Sequence, residues 1–340
     1  IAFLSRGQIS LVPADGGTPR PLSQHATPVS DIAWHPDGTS IYYLANDPPT
    51  DIQRERERLR GDIRVLDEFR LRHLWRIDVA DGKATRVTGG DDSVFGYRIA
   101  PDGRRVVISR RPTPLPADTD RMELWSLAAD GSEPVQLTTN RIPEVSGELS
   151  PDGSQVLFLA RANHRLEPYY NANVFLVPAS GGTARALMPD FPHEVLAAGW
   201  AIDSRSIWMV VNMGVRSELF QVDLASRQPR RLTTGDHAIV GEPYWSVVND
   251  RQVFVIDEPS RIGEVWTYAP GATAPSRVTR IYDYLDRDFA LPRQDRIAWT
   301  GADGIAIEGI LTYPTDYRPG TRYPLIVQMH GGPEASDRFG

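Results

Sequence analysis

Apolar and polar positions fall into short runs along most of this chain, and one kind of run recurs behind the same polar turn. Ser40-Ile41-Tyr42-Tyr43-Leu44, Arg105-Val106-Val107-Ile108-Ser109, Gln155-Val156-Leu157-Phe158-Leu159, Ser206-Ile207-Trp208-Met209-Val210 and Gln252-Val253-Phe254-Val255-Ile256 each have the length and β-branched or aromatic content of a strand. The first three follow Pro36-Asp37-Gly38, Pro101-Asp102-Gly103 and Pro151-Asp152-Gly153. A degenerate turn, Ala201-Ile202-Asp203-Ser204, precedes the fourth, and a weaker one, Ser246 to Asp250, the fifth. Pro presets φ at the second position of a turn, and Asp and Gly suit the next two, so each unit predicts a hairpin.

A second pattern alternates with the first. It appears as Leu74-Trp75-Arg76-Ile77-Asp78 running to Arg86-Val87-Thr88, and as Leu124-Trp125-Ser126-Leu127 running to Gln136-Leu137-Thr138. It returns at Val174 to Val177, Leu219 to Asp223 and Val265 to Tyr268, and later copies close on Thr233 and Thr279. A leading copy runs from Ile9 through Val12 to Pro21-Leu22-Ser23. Gly turns such as Asp81-Gly82, Asp130-Gly131 and Gly181-Gly182 divide its halves. The second residues of the polar turns stand at positions 36, 101, 151, 202 and 247. Two hairpins per period make a four-stranded unit of the size of a β-propeller blade. One blade cannot bury both of its faces, so blades must stack. Helical periodicity is nearly absent through residue 290. The expected fold is all-β: a six-bladed propeller, or seven-bladed if strands precede Ile1, over residues 1–290.

The first interval is long because of an insertion at Asp51 to Arg72, which holds the alternating charges Gln53-Arg54-Glu55-Arg56-Glu57-Arg58-Leu59-Arg60. It predicts a solvated helix on the rim.

The pattern changes past Leu291. Arg296 to Thr300 and Ile305 to Pro314 flank Gly301-Ala302-Asp303-Gly304 and predict a hairpin. A polar loop, Thr315 to Arg322, leads into the apolar run Tyr323-Pro324-Leu325-Ile326-Val327-Gln328-Met329, which reads as a buried strand, and then into His330-Gly331-Gly332-Pro333. A strand ending in Gly-Gly offers bare backbone N–H groups that a substrate oxygen can approach. Two antiparallel strands, then a strand and a Gly-rich loop, is how an α/β-hydrolase domain begins, so residues 291–340 are expected to start one. The matching nucleophile elbow, G-x-S-x-G, occurs nowhere in the 340 residues.

Composition narrows the partners. A net charge of −7 argues against nucleic acid. No apolar run approaches the length of a membrane helix. The chain has no Cys, which excludes disulfides and thiolate chemistry and suits a cytoplasmic location, although residue 1 is Ile and leaves a removed leader open. His25, His35, His73, His164, His193 and His237 show no metal-ligand spacing, and no cofactor is expected. Trp34, Trp75, Trp125, Trp200, Trp245 and Trp266 fall at repeat positions and are expected to pack blades. Lys83 is the only lysine among 37 basic residues, an excess of arginine that reads first as genomic base composition and second as a bias toward carboxylate-binding sites.

Propeller repeats followed by Ile297 to Pro333 resemble the prolyl oligopeptidase family of serine peptidases. Gly61-Asp62-Ile63-Arg64-Val65, leading to His73-Leu74-Trp75, is most similar to its acylaminoacyl-peptidase branch. The resemblance implies cleavage of short peptides by a Ser-His-Asp triad outside this chain. It implies an oxyanion hole with a donor from the Gly332 N–H, Gly331 being second; losing one such donor typically raises the barrier by about 2.7–4 kcal/mol. His330 is expected to be buried and to hold the loop through backbone bonds, and Pro333 to fix the next turn. By resemblance the propeller screens substrate by size. The implied partners are a peptide and the remaining hydrolase domain, in the same or a second chain; association of identical chains is left open. The paired glutamates with which the dipeptidyl-peptidase branch binds a free amine are not apparent. The alternative is a TolB-like propeller that binds a protein partner without catalysis, but such a module has no reason to end in an oxyanion strand.

Overall fold

The computed structural model describes residues 1–61, 68–241, 243–332 and 335–340. Asp62 to Val65 and Pro333, singled out above, lie outside the described residues. The chain forms two compact units, one of residues 1–168 with 175–186, the other of residues 169–174 with 187–340.

The first unit begins with a three-stranded sheet, β1 (Ala2–Ser5), β2 (Gln8–Leu11) and β3 (Arg20–Pro21). Three four-stranded antiparallel meanders follow. They are β4 (Val29–Trp34) to β5 (Ser40–Asn46), β6 (Arg72–Asp78) and β7 (Ala84–Arg86); then β8 (Ser93–Ile99), β9 (Arg105–Arg111), β10 (Glu123–Ala128) and β11 (Val135–Gln136); then β12 (Glu144–Leu149), β13 (Gln155–Ala162), β14 (Pro168–Pro178) and β15 (Arg185–Ala186). Every run that follows a polar turn is a second strand, and every copy of the second pattern after the leading one is a third strand; the leading copy falls on β2.

The second strands β5, β9 and β13 have unbroken apolar centres because both faces are covered. Side chains alternate along a strand. Ile41, Tyr43 and Ala45 of β5 pack with Ile9, Leu11 and Ile77, while Tyr42 and Leu44 pack with Val94, Val106 and Ile108 of the next sheet. Val107 points the other way and meets Leu124, Val156, Phe158 and Phe175. The β4–β7 and β8–β11 sheets thus each share one core with the sheet before and another with the sheet after.

The Pro-Asp-Gly turns are alike. In each, the Gly N–H donates to the carbonyl three residues back, His35, Ala100 or Ser150, at 2.8–2.9 Å. Asp37, Asp102 and Asp152 each accept the N–H two residues on. The degenerate copy keeps the geometry with Ser204 at φ 57° in the Gly place. The first strands β4, β8 and β12 each carry a bulge near their start, a device that bends a strand and re-aims a side chain. Gly131 shows how closely sheets stack: its φ is +91°, and a Cβ there would lie 1.9 Å from the Val87 carbonyl oxygen.

The second unit contains β16 (Glu194–Trp200), β17 (Ser206–Asn212), β18 (Ser217–Asp223), β19 (Pro229–Arg231), β20 (Ala238–Ile239), β21 (Trp245–Val248), β22 (Arg251–Glu258), β23 (Arg261–Tyr268) and β24 (Ser276–Arg277). Two meanders join here through one parallel pair, Ser217 with Ala238. Trp208, Val210, Leu219, Ile239, Phe254 and Tyr268 form their core. Among the Trp residues expected to pack blades, Trp200 and Trp245 are buried, but Trp34 is 40% exposed.

The insertion forms helix α1 (Asp51–Arg60), opened by a capping box between Thr50 and Gln53 and without a buried residue. A second, short helix, α2 (Asp283–Asp288), precedes the antiparallel hairpin β25 (Gln294–Thr300) and β26 (Ala306–Thr312), which turns at Asp303-Gly304 as expected. The expected buried strand at Tyr323 to Met329 is absent. That stretch has no regular structure, and Leu325, Ile326, Val327 and Met329 are 74–91% exposed. A strand needs neighbours for its N–H and C=O groups and cover for its faces. Among the described residues nothing supplies either.

Candidate functional site: the terminal glycine loop and its supports

The segment that leads to the glycines is packed on itself. The Arg293 guanidinium lies 4.0 Å from the centre of the Tyr313 ring, Tyr317 meets that ring edge-on at 4.7 Å, and the Tyr323 hydroxyl accepts the Arg318 N–H at 3.0 Å. Beyond the exposed apolar run come His330, Gly331 and Gly332, all exposed. Gly332 has φ 127°, a conformation that L side chains rarely adopt, and a Cβ on Gly331 would meet nothing within 4 Å. Among the described residues neither glycine N–H is given to a protein acceptor. His330 differs from expectation: it is exposed, and its Nδ1 lies 3.1 Å from the Gly331 carbonyl oxygen. The bond to nearby backbone is present but the burial is not, because the strand that would have covered the ring does not form.

After the glycines the chain docks again within the second unit. Asn212 Nδ2 donates to Ser336 Oγ at 3.0 Å. The Phe339 N–H donates to the Val215 carbonyl at 2.9 Å, and the Phe339 side chain is 2% exposed.

The sheets hold buried polar clusters whose arrangement repeats. A Ser or Thr after a meander's last strand accepts a backbone N–H near the start of the strand before it: Ser23 from Ile9 at 2.8 Å, and Thr88 from Leu74, Thr138 from Leu124, Thr233 from Leu219 and Thr279 from Val265 at 2.9 Å. The hydroxyl then engages a polar side chain. Ser23 donates to Gln8 Oε1 at 2.8 Å, Thr233 to Glu218 Oε2 at 2.6 Å, and Thr279 to Glu264. Gln8, His73, Glu123, Glu218 and Glu264 each precede their Ser or Thr by 15 residues. That spacing was the signal available in the sequence, and the closing Thr residues were only half of it.

One cluster has the residue types of a hydrolytic triad. His73 lies between Thr88 Oγ1, at 3.4 Å from Nδ1, and Asp47 Oδ2, at 3.3 Å from Nε2. It is no nucleophile site. His73 is fully buried, Thr88 already accepts a backbone N–H, and Arg86 stands 2.7 Å from the same Nε2. A second cluster supplies the glutamate pair not apparent in the sequence. Glu144 accepts from Thr138 Oγ1 and from Asn140 Nδ2 and is fully buried. Burial pushes its carboxyl up to about 8, with repulsion from Glu123 adding to it, and burial raises Glu123 as well. A neutral acid closed off from solvent cannot receive a substrate amine.

No protein-family model matches the chain. Over 193 residues it is 24% identical to dipeptidyl-peptidase 5 of Porphyromonas gingivalis, a match covering 55% of this chain and 27% of that protein. In fold it superposes on Pyrococcus horikoshii acylaminoacyl peptidase with a TM-score of 0.70 at 15% identity, covering 98% of this chain and 51% of the other. The chain resembles the peptidases of the prolyl oligopeptidase family. A Mycobacterium tuberculosis puromycin-hydrolyzing peptidase of the same fold gives a TM-score of 0.69 at 15% identity, over 95% of this chain and 50% of that one. The chain spans about half the length of these solved prolyl oligopeptidase-type structures and about a quarter of the curated relative. The likeness therefore extends through the sheets and the terminal hairpin to only part of such a peptidase. No helix among the described residues is long and apolar enough to cross a membrane.

Proposed function

We propose that this chain is the propeller-bearing part of a serine peptidase that cleaves short peptides, of the acylaminoacyl- or oligopeptidase type. In this reading residues 1–290 assemble as six or seven blades and screen substrate by size, and residues 291–340 open an α/β-hydrolase domain. Gly332, with Gly331 second, directs an N–H at the oxygen of the scissile carbonyl, where negative charge develops as the nucleophile attacks. The serine, histidine and aspartate lie outside this chain in this reading.

The observation that carries the reading is the pairing of repeat sheets with a hairpin and a Gly-Gly loop whose N–H groups are unengaged among the described residues. Sheets alone serve many functions; a loop of free backbone donors at the end of an apolar run has a use in acyl transfer. A fluorophosphonate serine probe tests it. The 340-residue polypeptide is expected to remain unlabelled, and a longer product of the same gene is expected to label at a serine in a G-x-S-x-G elbow. Labelling of any serine within these residues would overturn the assignment.

A further inference from the structure

We propose that Arg72, Phe95 and Arg111 form a subsite for the free carboxylate of a peptide; the peptide as ligand rests on the peptidase reading. All three lie in the first unit. Phe95 is the extra residue of the β8 bulge, between Val94 and Gly96, and is 44% exposed. Its ring centre is 5.4 Å from the Arg72 guanidinium and 4.8 Å from that of Arg111. Two cations therefore share one aromatic ring.

Neither cation is well matched by an anion. Arg72 spends Nε on the Val94 carbonyl at 2.8 Å and Nη2 on that of Phe95, leaving Nη1 with Asp31 Oδ2 at 3.9 Å. Asp31 Oδ2 already accepts from Ser30 Oγ at 2.8 Å. Arg111 is 6% exposed and gives its terminal nitrogens to neutral acceptors, Thr119 Oγ1 at 2.5 Å and the Pro114 carbonyl at 2.8 Å. Its buried Nε has no acceptor, and no carboxylate lies within 4.0 Å of its guanidinium among the described residues. Asp118 also acts on Arg111 but is paired with Arg121 Nη1 at 3.0 Å, so among the described residues the guanidiniums of Arg72, Arg111 and Arg121 face the two carboxylates of Asp31 and Asp118, and a surplus positive charge remains beside an exposed ring. An incoming carboxylate on Arg72 Nη1 balances it with a charge-assisted hydrogen bond. The ring suits the apolar side chain next to a peptide's carboxylate, which an inorganic anion lacks.

The test is calorimetric titration of the 340-residue chain with N-acetyl-Ala-Ala-Phe as the free acid and as the carboxamide. The acid is expected to bind at least about ten-fold more tightly. Arg72→Gln is expected to abolish that preference. Because Arg72 also ties β6 to β8, Asp31→Asn decides the matter if that variant folds poorly. It removes the competing charge, keeps an acceptor for Ser30, and suits the φ of 50° at this position. It is expected to tighten acid binding about three-fold and leave the amide unchanged. Equal affinity for acid and amide, or an Asp31→Asn variant with unaltered acid binding, overturns the proposal. Binding needs no nucleophile. A serine labelled within the chain would thus remove the peptidase assignment while an acid preference kept the subsite.

Discussion

Val156, Leu157, Phe158 and Leu159 of β13 are at most 4% exposed, whereas Leu325, Ile326 and Val327, in a run of similar composition, are 74–91% exposed. The difference lies in the neighbours. β13 is hydrogen-bonded into a meander and has Phe158 stacked on Phe175 at 5.3 Å. The later run has neither ladder nor cover among the described residues. An apolar run states a requirement for burial; whether it becomes a strand depends on what the rest of the fold brings to it. In the repeats each period brings the next face. After Thr312 nothing repeats.

Substitutions on the two sides should separate widely. Phe158→Ala removes a fully buried ring and is expected to cost about 4 kcal/mol. Val327→Ala is expected to change stability by less than about 0.5 kcal/mol. Urea unfolding followed by fluorescence measures both. A large effect at Val327 would mean the run is covered in solution, and the contrast would fail.

Gly131→Ala examines the stacking that makes the first region different. The new methyl would meet the Val87 carbonyl oxygen, and the backbone would be held at φ +91°. Overpacking and the left-handed conformation together are expected to cost about 3 kcal/mol. The same measurement reads it. A neutral result would mean that the sheets can separate at this turn without penalty, and that burial in the repeats does not depend on close backbone approach.

Much of this architecture was legible because turns and strands are local. Pro101-Asp102-Gly103 sets its own dihedrals, and Arg105 to Ser109 has few alternatives to a strand. The terminal hairpin was legible for the same reason. The strand at Tyr323 to Met329 was not, since its formation depends on non-local partners, and the burial expected of His330 failed with it. The candidate site was legible only as residue types. Gly331 and Gly332 name backbone donors without aiming them. Glu123 and Glu144 are 21 positions apart and meet around Thr138 only once two sheets stack.

That buried pair yields the most selective prediction. The Glu144 carboxyl titrates near 4.5 in an unstructured chain and is raised to about 8 in the fold. An acid raised by folding contributes its full stability below the lower value and loses it as pH rises toward the higher one. Between pH 4.5 and 8 the fold should lose up to about 1.4 kcal/mol per pH unit from this group, with no further loss above. Glu144→Gln keeps an acceptor for Thr138 and removes the titration. The variant's unfolding midpoint should vary less than the wild type's between pH 5 and 8, with the two differing most at the alkaline end. Parallel profiles would show that the carboxylate ionises without penalty, as it would if water reached it. The sheets around Thr138 would then be no more closed than the exposed run at Val327, and burial would cease to distinguish the two regions.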